Sequence, residues 1–298
     1  MKDKFIYALG FFDGVHLGHQ ALLTACRHMA QTHGCKAGAV TFDTHPETVV
    51  KGNAPRLINT TRDRDRLLLA YGMQDVLVLP FDEKLRTQPW QTFLEDLIDR
   101  GAAGFVCGDD FRFGFRGEGN AEKLAAFCKE RNLPWAVVSA QNLEGVRISS
   151  THIRSLLEAG DMETANRFLG HPHTMTGEVI HGRQLGRTIG IPTANLALPE
   201  EVICPRFGVY AATAAVDGEI YLAVTNIGTR PTVEGHHITV EPWLLDFSGD
   251  LYGKQLTLHF YQFLRPEEKF ASLDRLKAQI QMDALKTRQL LEEKTLKS

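Results

Sequence analysis

The hydrophobic periodicity of this 298-residue chain changes near residue 154, and no other feature constrains its fold as strongly. Before that point, short apolar runs alternate with longer segments whose apolar residues recur at helical spacing. Runs that are apolar on both faces and are separated by helices are typical of a parallel sheet covered by helices. The first half is therefore predicted to be an α/β domain with its ligands at the carboxyl ends of the strands.

The elements of this first half follow from the same pattern. The predicted strands are Phe5–Phe11, Ala37–Phe42, Asp75–Phe81, Gly104–Cys107 and Pro134–Ser139. The predicted helices are Gln20–Thr32, Arg62–Tyr71, Trp90–Asp99 and Ala121–Arg131, followed by Ser155–Leu169 with a break at Gly160-Asp161.

The second half has a period near two, which is typical of half-buried strands. Its predicted strands are Met175–His181, Gly208–Val216, Ile220–Asn226, His237–Phe247 and Gln255–Phe263. Asp217-Gly218 between two of these runs indicates a hairpin turn. Successive strands without helices between them predict a small antiparallel barrel, closed by a helix over Glu267–Glu293. We expect two modules, residues 1–170 and 171–298, joined near the linker-like Gly170–His173.

Composition excludes several classes of function. The 33 Lys and Arg against 36 Asp and Glu give a net charge of −3, which argues against nucleic-acid and polybasic membrane partners. No apolar run is long enough to span a bilayer. The five cysteines are scattered and form no CxxC pair, as expected of reduced thiols in a cytoplasmic protein. Small-molecule substrates are the predicted partners, and the sequence does not predict an oligomeric state.

The segment Gly10–His19, GFFDGVHLGH, joins the first predicted strand to the first helix. Glycines let the backbone approach a ligand, and a helix N-terminus favours phosphate. His16 and His19 can donate hydrogen bonds to phosphate oxygens as charge develops, so they are the predicted catalytic residues. A zinc site is the alternative, although three-residue spacing without a third ligand disfavours it. The predicted nucleotide-binding residues here are Gly10, Phe12, Asp13, Gly14 and Gly18.

A second phosphate-binding pattern lies at residues 148–154, ISSTHIR, which begins another helix. A hydroxyl at a helix start is usually an N-cap. Ser150 and Thr151 together with Arg154 supply more donors than a cap needs, and they suit a triphosphate. The chain has neither GxxxxGK[ST] nor a GxGxxG after its first strand, which excludes a P-loop site and disfavours a nicotinamide-binding enzyme.

A loop rich in glycine and arginine at residues 182–195 ends in PTAN. Such a loop can wrap phosphates, while the oxygens of Thr193 and Asn195 can hold Mg²⁺ or phosphate-bound water. The alternative is a simple turn, which would explain Pro192 and Asn195 but not the whole segment. The predicted nucleotide-binding residues of this loop are Gly182, Gly186, Arg187, Gly190, Thr193 and Asn195.

These motifs resemble one enzyme family over essentially the whole chain. GFFDGVHLGH and ISSTHIR are similar to the signatures of the HxGH nucleotidylyltransferases. With TFDTHP at residues 41–46 and GDDFRFG at residues 108–114, they resemble the N-terminal module of the bacterial bifunctional riboflavin kinase/FMN adenylyltransferases, or FAD synthetases. GRTIGIPTAN at residues 186–195 and FLRPEEKF at residues 263–270 resemble the riboflavin kinase module of that family.

The resemblance implies a Rossmann-like nucleotidylyltransferase domain followed by a six-stranded barrel with a terminal helix. It implies two reactions that use ATP and Mg²⁺: riboflavin is phosphorylated to FMN, and FMN is adenylylated to FAD. Glu241 would deprotonate the riboflavin 5′-hydroxyl, and Thr193 and Asn195 would hold Mg-ATP. The implied flavin contacts are Asp110, Phe111, Phe113, Gly208, Tyr210, Arg265 and Phe270. Core packing is the alternative for Phe111 and Phe113.

The chain departs from the family at several positions. Phe11 stands where Asn is frequent, and Pro242-Trp243 follows Glu241 where His or Asn often lies two residues on. A proline beside the predicted base indicates an edge strand or a bulge, with Asp246 as the alternative base. For the whole chain the alternatives are another HxGH adenylyltransferase, acting on nicotinate mononucleotide or pantetheine phosphate, and a flavin-binding protein without activity.

Overall fold

The computed structural model describes residues 3–53, 55–181, 190–232 and 235–295. The chain divides into two compact units, residues 1–57 with 61–150 and residues 58–60 with 151–298. A packing unit need not coincide with a catalytic module, so the predicted boundary at residue 170 stays a prediction.

The first unit is built on a five-stranded parallel sheet with strand order β3-β2-β1-β4-β5. The strands are β1 (Phe5–Leu9), β2 (Lys36–Phe42), β3 (Asp75–Leu79), β4 (Ala102–Gly108) and β5 (Trp135–Val138). In the central β1, Ile6 and Ala8 pack into one buried cluster and Tyr7 and Leu9 into another. Both faces of the sheet are therefore buried, as the uninterrupted apolar runs predicted.

Helices connect these strands. They are α1 (Leu17–Thr32), α2 (Pro46–Lys51), α3 (Thr61–Ala70), α4 (Glu83–Thr87), α5 (Trp90–Asp99) and α6 (Ala121–Glu130). Two more helices, α7 (Ser150–Ala159) and α8 (Met162–Leu169), follow the sheet and belong to the second unit from Thr151 onward. Two short strands, β6 (Asn142–Leu143) and β7 (Val146–Arg147), pair as a hairpin. The predicted break at Gly160 is confirmed, since α7 ends one residue before it. The two shortest helices, α2 and α4, were not predicted because they are too short to show a helical period.

The second unit is a closed barrel with strand order β10-β11-β12-β9-β8-β13. The strands are β8 (His173–Ile180), β9 (Asn195–Leu196), β10 (Gly208–Val216), β11 (Glu219–Thr232), β12 (Gly235–Leu244) and β13 (Gln255–Arg265). The predicted hairpin is confirmed, because Asp217 and Gly218 both have the positive φ of its turn. The strand β9 was not predicted, since two residues are too few for a period.

The terminal helix α9 (Leu273–Thr295) begins six residues later than predicted. The hydroxyl of Ser272 accepts a hydrogen bond from the Arg275 amide at 3.3 Å, which caps the helix at that point. Arg265 at the end of β13 donates to both carboxylate oxygens of Asp283 in α9, with Nε–Oδ2 at 3.0 Å. Within the described residues, no helix combines the length and the apolar character that crossing a membrane requires.

The predicted bulge or edge at Pro242 is wrong for the β11–β12 pair. The register runs without a shift through Asn226–Glu241, Thr225–Pro242 and Val224–Trp243. The Pro242 carbonyl accepts from the Ala194 amide at 2.9 Å, on the side away from β11. In an antiparallel sheet, a residue directs its N–H and its C=O toward the same neighbour. The N–H that Pro242 lacks would therefore have pointed toward Ala194 and not toward β11. The ladder with β11 is therefore intact.

His173 at the start of β8 is a buried histidine that we expect to make the barrel sensitive to acid. Its ring is fully buried, and neither ring nitrogen has a hydrogen-bond partner in the described chain. Burial, and then the charge of His171, lowers the pKa of His173 from 6.5 to about 3. The unfolded chain binds a proton between these values that the folded barrel excludes, so stability is lost as pH falls through this window.

We therefore expect His173→Leu to weaken the pH dependence of barrel unfolding between pH 6.5 and about 3. The measurement is the free energy of unfolding from urea titrations at several pH values. The exposed His28 gives the matched control, His28→Leu, which should keep the wild-type slope. Equal slopes for wild type and His173→Leu would contradict the assignment.

Candidate functional site

The turn between β1 and α1 is held in an unfavourable backbone conformation. Phe12 and Val15 have positive φ angles of 61° and 40°, which is rare for side chains with a Cβ and most unusual for a β-branched residue. Hydrogen bonds offset this cost: the Val15 amide donates to Phe12 O at 3.0 Å, and Gln20 Nε2 donates to Val15 O at 2.9 Å. Strained turns of this kind persist mainly where function requires their shape.

The predicted catalytic histidines lie together at the start of α1. Their rings stack with centroids 3.7 Å apart and an interplanar angle of 11°. The His19 amide donates to His16 Nδ1 at 3.3 Å, so His16 caps the helix and a neutral His16 carries its proton on Nε2. Burial, reinforced by His16, lowers the pKa of His19 well below its usual range. His19 is therefore neutral at physiological pH.

The other predicted residues of this turn shape it mainly through the backbone. Phe12 is fully buried and meets the His19 ring edge-on at 5.2 Å. A Cβ at Gly10 would lie 3.0 Å from the Phe12 ring, and one at Gly18 would lie 3.2 Å from His16 Nδ1. Gly14 has a φ of 79°, which only glycine adopts readily. Asp13 is buried, and its carbonyl is a hydrogen-bond acceptor for the second motif.

That second motif meets the first through Ser150, whose hydroxyl donates to Asp13 O at 3.0 Å. Ser150 is the first residue of α7, so it joins two helix starts instead of capping its own helix. Thr151 and Arg154 continue α7 by one residue and one turn, within the part of the chain that packs with the second unit. Their predicted contact with ATP stays a prediction.

A cavity of about 430 Å³ adjoins both motifs. The predicted residues that line it are Gly10, Phe12, His16, Gly18, His19, Asp110, Phe111 and Ser150. It lies beyond the carboxyl ends of β1, β4 and β5, where open α/β sheets bind their ligands. Helix N-termini and imidazole donors at its wall make it suitable for a nucleotide phosphate chain. We call this space the nucleotide cavity.

A larger cleft of about 1020 Å³, which we call the aromatic cleft, lies beside the nucleotide cavity. Its aromatic lining consists of Phe11, Phe42, His45, Phe81, Phe93, Phe111 and Phe113. Phe11, Asp110 and Phe111 line both spaces. An apolar, ring-lined cleft that shares a wall with a phosphate site suits a flat aromatic molecule bearing a phosphate.

The predicted flavin contacts of the first unit differ in exposure. Phe113 is nearly buried and packs against Phe93 and Phe111 in the core, so its side chain is chiefly structural. Phe111 is only partly buried and faces both spaces. Asp110 is exposed and pairs with Arg147 at 2.6 Å. Phe111 is thus the better candidate for stacking on a ring.

Sequence reasoning missed Arg64, a fully buried arginine of α3. It donates from Nη1 to Phe42 O at 2.8 Å and binds Asp65 Oδ1 through Nε and Nη2 at 3.0 and 2.9 Å. Burial lowers the pKa of its guanidinium, and the carboxylate of Asp65 opposes that shift. A signal was present: Arg64 precedes the buried Leu68 by four residues and so lies on the apolar face of α3.

In the second unit, three strands bring polar side chains to one face. Glu241 in β12 is directly opposite Asn226 in β11. Leu196 in β9 is opposite Val240, and one further step of this antiparallel register places Asn195 beside Glu241. Asn226 Nδ2 donates to Glu267 Oε1 at 3.0 Å. Asn226 was predicted as the end of a strand and received no functional role, because the sequence does not show which strand lies opposite Glu241.

The remaining predicted flavin contacts of this unit differ in their burial and in the partners that they bind. Tyr210 is fully buried and donates to the Arg206 carbonyl, and burial raises the pKa of its hydroxyl, so it serves the core. Arg265 pairs with Asp283 and lies 5.6 Å from the Phe270 ring. Gly208 has no room for a side chain, since a Cβ would lie 2.5 Å from Arg265 O.

The PTAN segment is only partly described. Gly182, Gly186 and Arg187 lie outside the described residues. Gly190 has a φ of 75°, and Thr193 is half-buried at the approach to β9. No group of three or more His, Cys, Asp or Glu side chains that could hold a metal ion occurs in the described parts of the chain.

The alternative base Asp246 is disfavoured by its position. β12 ends at Leu244, so Asp246 lies in the turn that follows the strand. Its carboxylate is exposed and pairs with Arg288 in α9 at 2.7 Å.

Two models of known protein families match the chain, one over its first half and one over its second half. A family model described as FAD synthetase matches residues 1–152. A model described as riboflavin kinase matches residues 169–291.

Two relatives and one solved structure extend over nearly the whole chain. The bifunctional riboflavin kinase/FMN adenylyltransferase of Escherichia coli K12 is 39% identical over 97% of this chain and 93% of its own. That of Listeria monocytogenes is 36% identical over 95% and 91%. A crystal structure from Streptococcus pneumoniae, described as a macrolide-efflux protein, is 29% identical with a TM-score of 0.86, and covers 97% of this chain and 95% of its own.

Proposed function

The chain belongs to the family of bifunctional riboflavin kinase/FMN adenylyltransferases, and on this premise we propose how its own residues carry out the two reactions. It converts riboflavin and ATP to FMN, and then FMN and ATP to FAD. The family assignment sets aside an HxGH enzyme acting on another substrate, because such an enzyme needs no riboflavin kinase module.

For the second step, the nucleotide cavity holds ATP and the aromatic cleft holds the flavin ring of FMN. The single observation that carries this assignment is the stacked pair His16–His19 at the start of α1, on a cavity that shares Phe11 and Phe111 with the cleft. An oxygen of the FMN phosphate attacks the α-phosphorus of ATP, and pyrophosphate leaves. That phosphate is already ionised at neutral pH, so the reaction needs donors of hydrogen bonds and no strong base.

The histidines supply those donors. Neutral His19 keeps one ring N–H, and His16 can donate from Nε2 because its Nδ1 accepts from the His19 amide. Such hydrogen bonds strengthen as negative charge builds on the phosphate oxygens. The strained turn fixes both rings before substrate arrives, so little reorganisation is needed during reaction. The backbone of Gly10–Asp13 and the N-termini of α1 and α7 bind phosphate oxygens. Thr151 and Arg154 are assigned to the leaving pyrophosphate on the basis of their motif.

For the first step, Glu241 accepts the proton of the riboflavin 5′-hydroxyl as that oxygen attacks the γ-phosphorus of ATP and ADP leaves. Asn226 and Asn195, on the strands either side of Glu241, orient the reacting groups. Arg265 and Phe270 are assigned to the edge of the flavin site, with Arg265 held by Asp283.

The residues present fit a magnesium ion bound together with ATP. Thr193 and Asn195 offer neutral oxygen ligands, and the register of β9 with β12 places Asn195 next to Glu241. A cage of carboxylates is absent from the described residues. This donor set suits Mg²⁺, which usually keeps several waters and binds protein through few ligands and the substrate phosphates. When bound, Mg²⁺ neutralises phosphate charge. The five free thiols favour a reducing compartment, so a cytoplasmic location is part of the proposal.

The test is to incubate the purified full-length chain with riboflavin, ATP and Mg²⁺ and to separate the flavins. FMN followed by FAD is the expected result. FMN alone would contradict the assignment of the first unit, and neither product would favour the flavin-binding protein without activity.

Arg154→Ala is expected to raise the KM for ATP in the adenylyl step more than Arg154→Lys does. Both variants lose the bidentate guanidinium, but only alanine also loses the charge. The measurement is FAD formation from supplied FMN at varied ATP. Wild-type kinetics for both variants would show that Arg154 is an ordinary helix residue.

A further inference from the structure

We propose that Arg64 is a positioning residue for adenylyl transfer, because it fixes the wall shared by the nucleotide cavity and the aromatic cleft. The inference rests on the proposed placement of FMN in that cleft. Arg64 does not line either space. It acts through Phe11 and Phe42, which do.

The first contact runs through the backbone. Arg64 Nη1 donates to Phe42 O at 2.8 Å and to Phe11 O at 3.5 Å. The hydroxyl of Thr41 adds a second donor to Phe11 O at 3.0 Å. Phe42 ends β2 and Phe11 follows β1, so one guanidinium ties together the carboxyl ends of two neighbouring strands. These are the ends from which the ligand-binding loops depart.

The second contact is with the ring of Phe11. The Arg64 guanidinium carbon lies 5.1 Å from the ring centroid, within the range of a cation–π interaction. The imidazole of His45 meets the same ring edge-on at 4.7 Å. The Phe11 ring, which lines both spaces, is thus held by Arg64 and by His45, so its orientation depends in part on the buried arginine.

The position of Phe11 also bears on the catalytic turn. Phe11 is followed directly by Phe12, whose left-handed backbone costs conformational energy. Donors on Phe11 O fix the peptide between the two residues and so favour that conformation. The Phe12 ring then packs beneath His19. Arg64 thereby supports both a wall of the flavin cleft and the turn that carries the histidines.

The chemistry of Arg64 suits this role better than that of lysine. Its planar fork binds Asp65 through two nitrogens while a third reaches the carbonyls and the flat face covers Phe11. Lysine keeps the charge but offers one donor centre. Asp65 is partly exposed, so water can satisfy it when the arginine is removed. This makes Arg64 variants that still fold attainable.

The test measures FAD formation from supplied FMN for Arg64→Met and Arg64→Lys. Replacement of Arg64 should loosen both Phe11 and Phe42, which line the aromatic cleft. Only Phe11 also lines the nucleotide cavity. We therefore expect the KM for FMN to rise about tenfold in Arg64→Met, as loss of a charged hydrogen bond implies, and the KM for ATP to rise less. Arg64→Lys should show a smaller rise of about threefold.

The controls separate positioning from general damage. The exposed Arg62 of the same helix gives Arg62→Met, which should keep wild-type kinetics. Riboflavin phosphorylation by the same molecules should be unchanged. Wild-type values of both the KM for FMN and the kcat for FAD formation in both Arg64 variants would overturn the inference, as would an equal loss of both activities.

A further variant, Phe111→Leu, distinguishes failure of the inference from failure of the flavin placement. If Phe111→Leu raises the KM for FMN and the Arg64 variants keep both the KM for FMN and the kcat of wild type, FMN is in the cleft and Arg64 has no positioning role. If none of the three variants raises it, the placement of FMN itself is wrong and the inference falls with it. If Arg64→Met does not fold, Arg64→Lys alone decides between these outcomes.

Discussion

His19→Ala should lower the rate of FAD formation by a factor of about 10²–10³, the usual cost of losing one transition-state donor. FMN formation by the same molecule should be unaffected, because Glu241 and its neighbours belong to the other unit. The measurement is the kcat for FAD from supplied FMN and ATP, with riboflavin phosphorylation assayed in parallel. Since the pKa of His19 lies well below its usual range, the wild-type rate should not fall through protonation of His19 near pH 6.5.

The matched control for this prediction is His28→Ala. His28 lies further along α1 with its side chain exposed, so helix propensity changes equally while no donor is lost at the cavity. His19 also packs against Phe12 and His16, so the variant must be compared with wild type in thermal unfolding. A parallel loss of kinase activity would contradict the division of labour between the units.

Much of the fold was predictable because periodicity is a local property of the chain. The central strand of the sheet is an uninterrupted apolar run, whereas burial alternates along the first part of β13 in the barrel, so the two architectures separate in the sequence. The start of α9 was mispredicted because apolar spacing continues before it, while the capping hydroxyl of Ser272 decides where the helix begins. A cap outweighs the pattern at a helix end.

The candidate site was predictable where it is made of contiguous motifs. His16, His19 and Ser150 are such residues, since each occupies a recognisable strand-to-helix turn. Arg64 and Asn226 act through partners distant in the sequence: Phe11 and Phe42 for the arginine, and Glu241 for the asparagine. Strand order and register create these pairings, and no local pattern reports them. Pro242 illustrates the converse, because a local rule predicted a bulge that the pairing does not need.

Glu241→Gln should lower riboflavin phosphorylation by a factor of about 10²–10⁴, the range expected for removal of a general base. Glutamine keeps the shape and most hydrogen bonds of glutamate, so β12 should keep its register with β11. It does not accept the proton of the 5′-hydroxyl. A half-buried strand glutamate with no catalytic part would instead change stability by roughly 0.5 kcal/mol or less. The measurement is FMN formation from riboflavin and ATP, with FAD formation from supplied FMN as the internal control.

Asp246→Asn is the companion variant, because Asp246 is the nearest other carboxylate along this part of the chain. It lies beyond the end of β12 and is engaged by Arg288 at 2.7 Å in an exposed ion pair. Exposed pairs contribute about 0–1 kcal/mol, so this variant should fold and keep the wild-type rate. A Glu241→Gln enzyme that still makes FMN at the wild-type rate, together with an inactive Asp246→Asn enzyme, would exchange the two roles. Glu241 lies between Asn226 of β11 and Asn195 of β9, and Asp246 does not. We therefore expect Glu241→Gln to be inactive as a kinase and Asp246→Asn to be active.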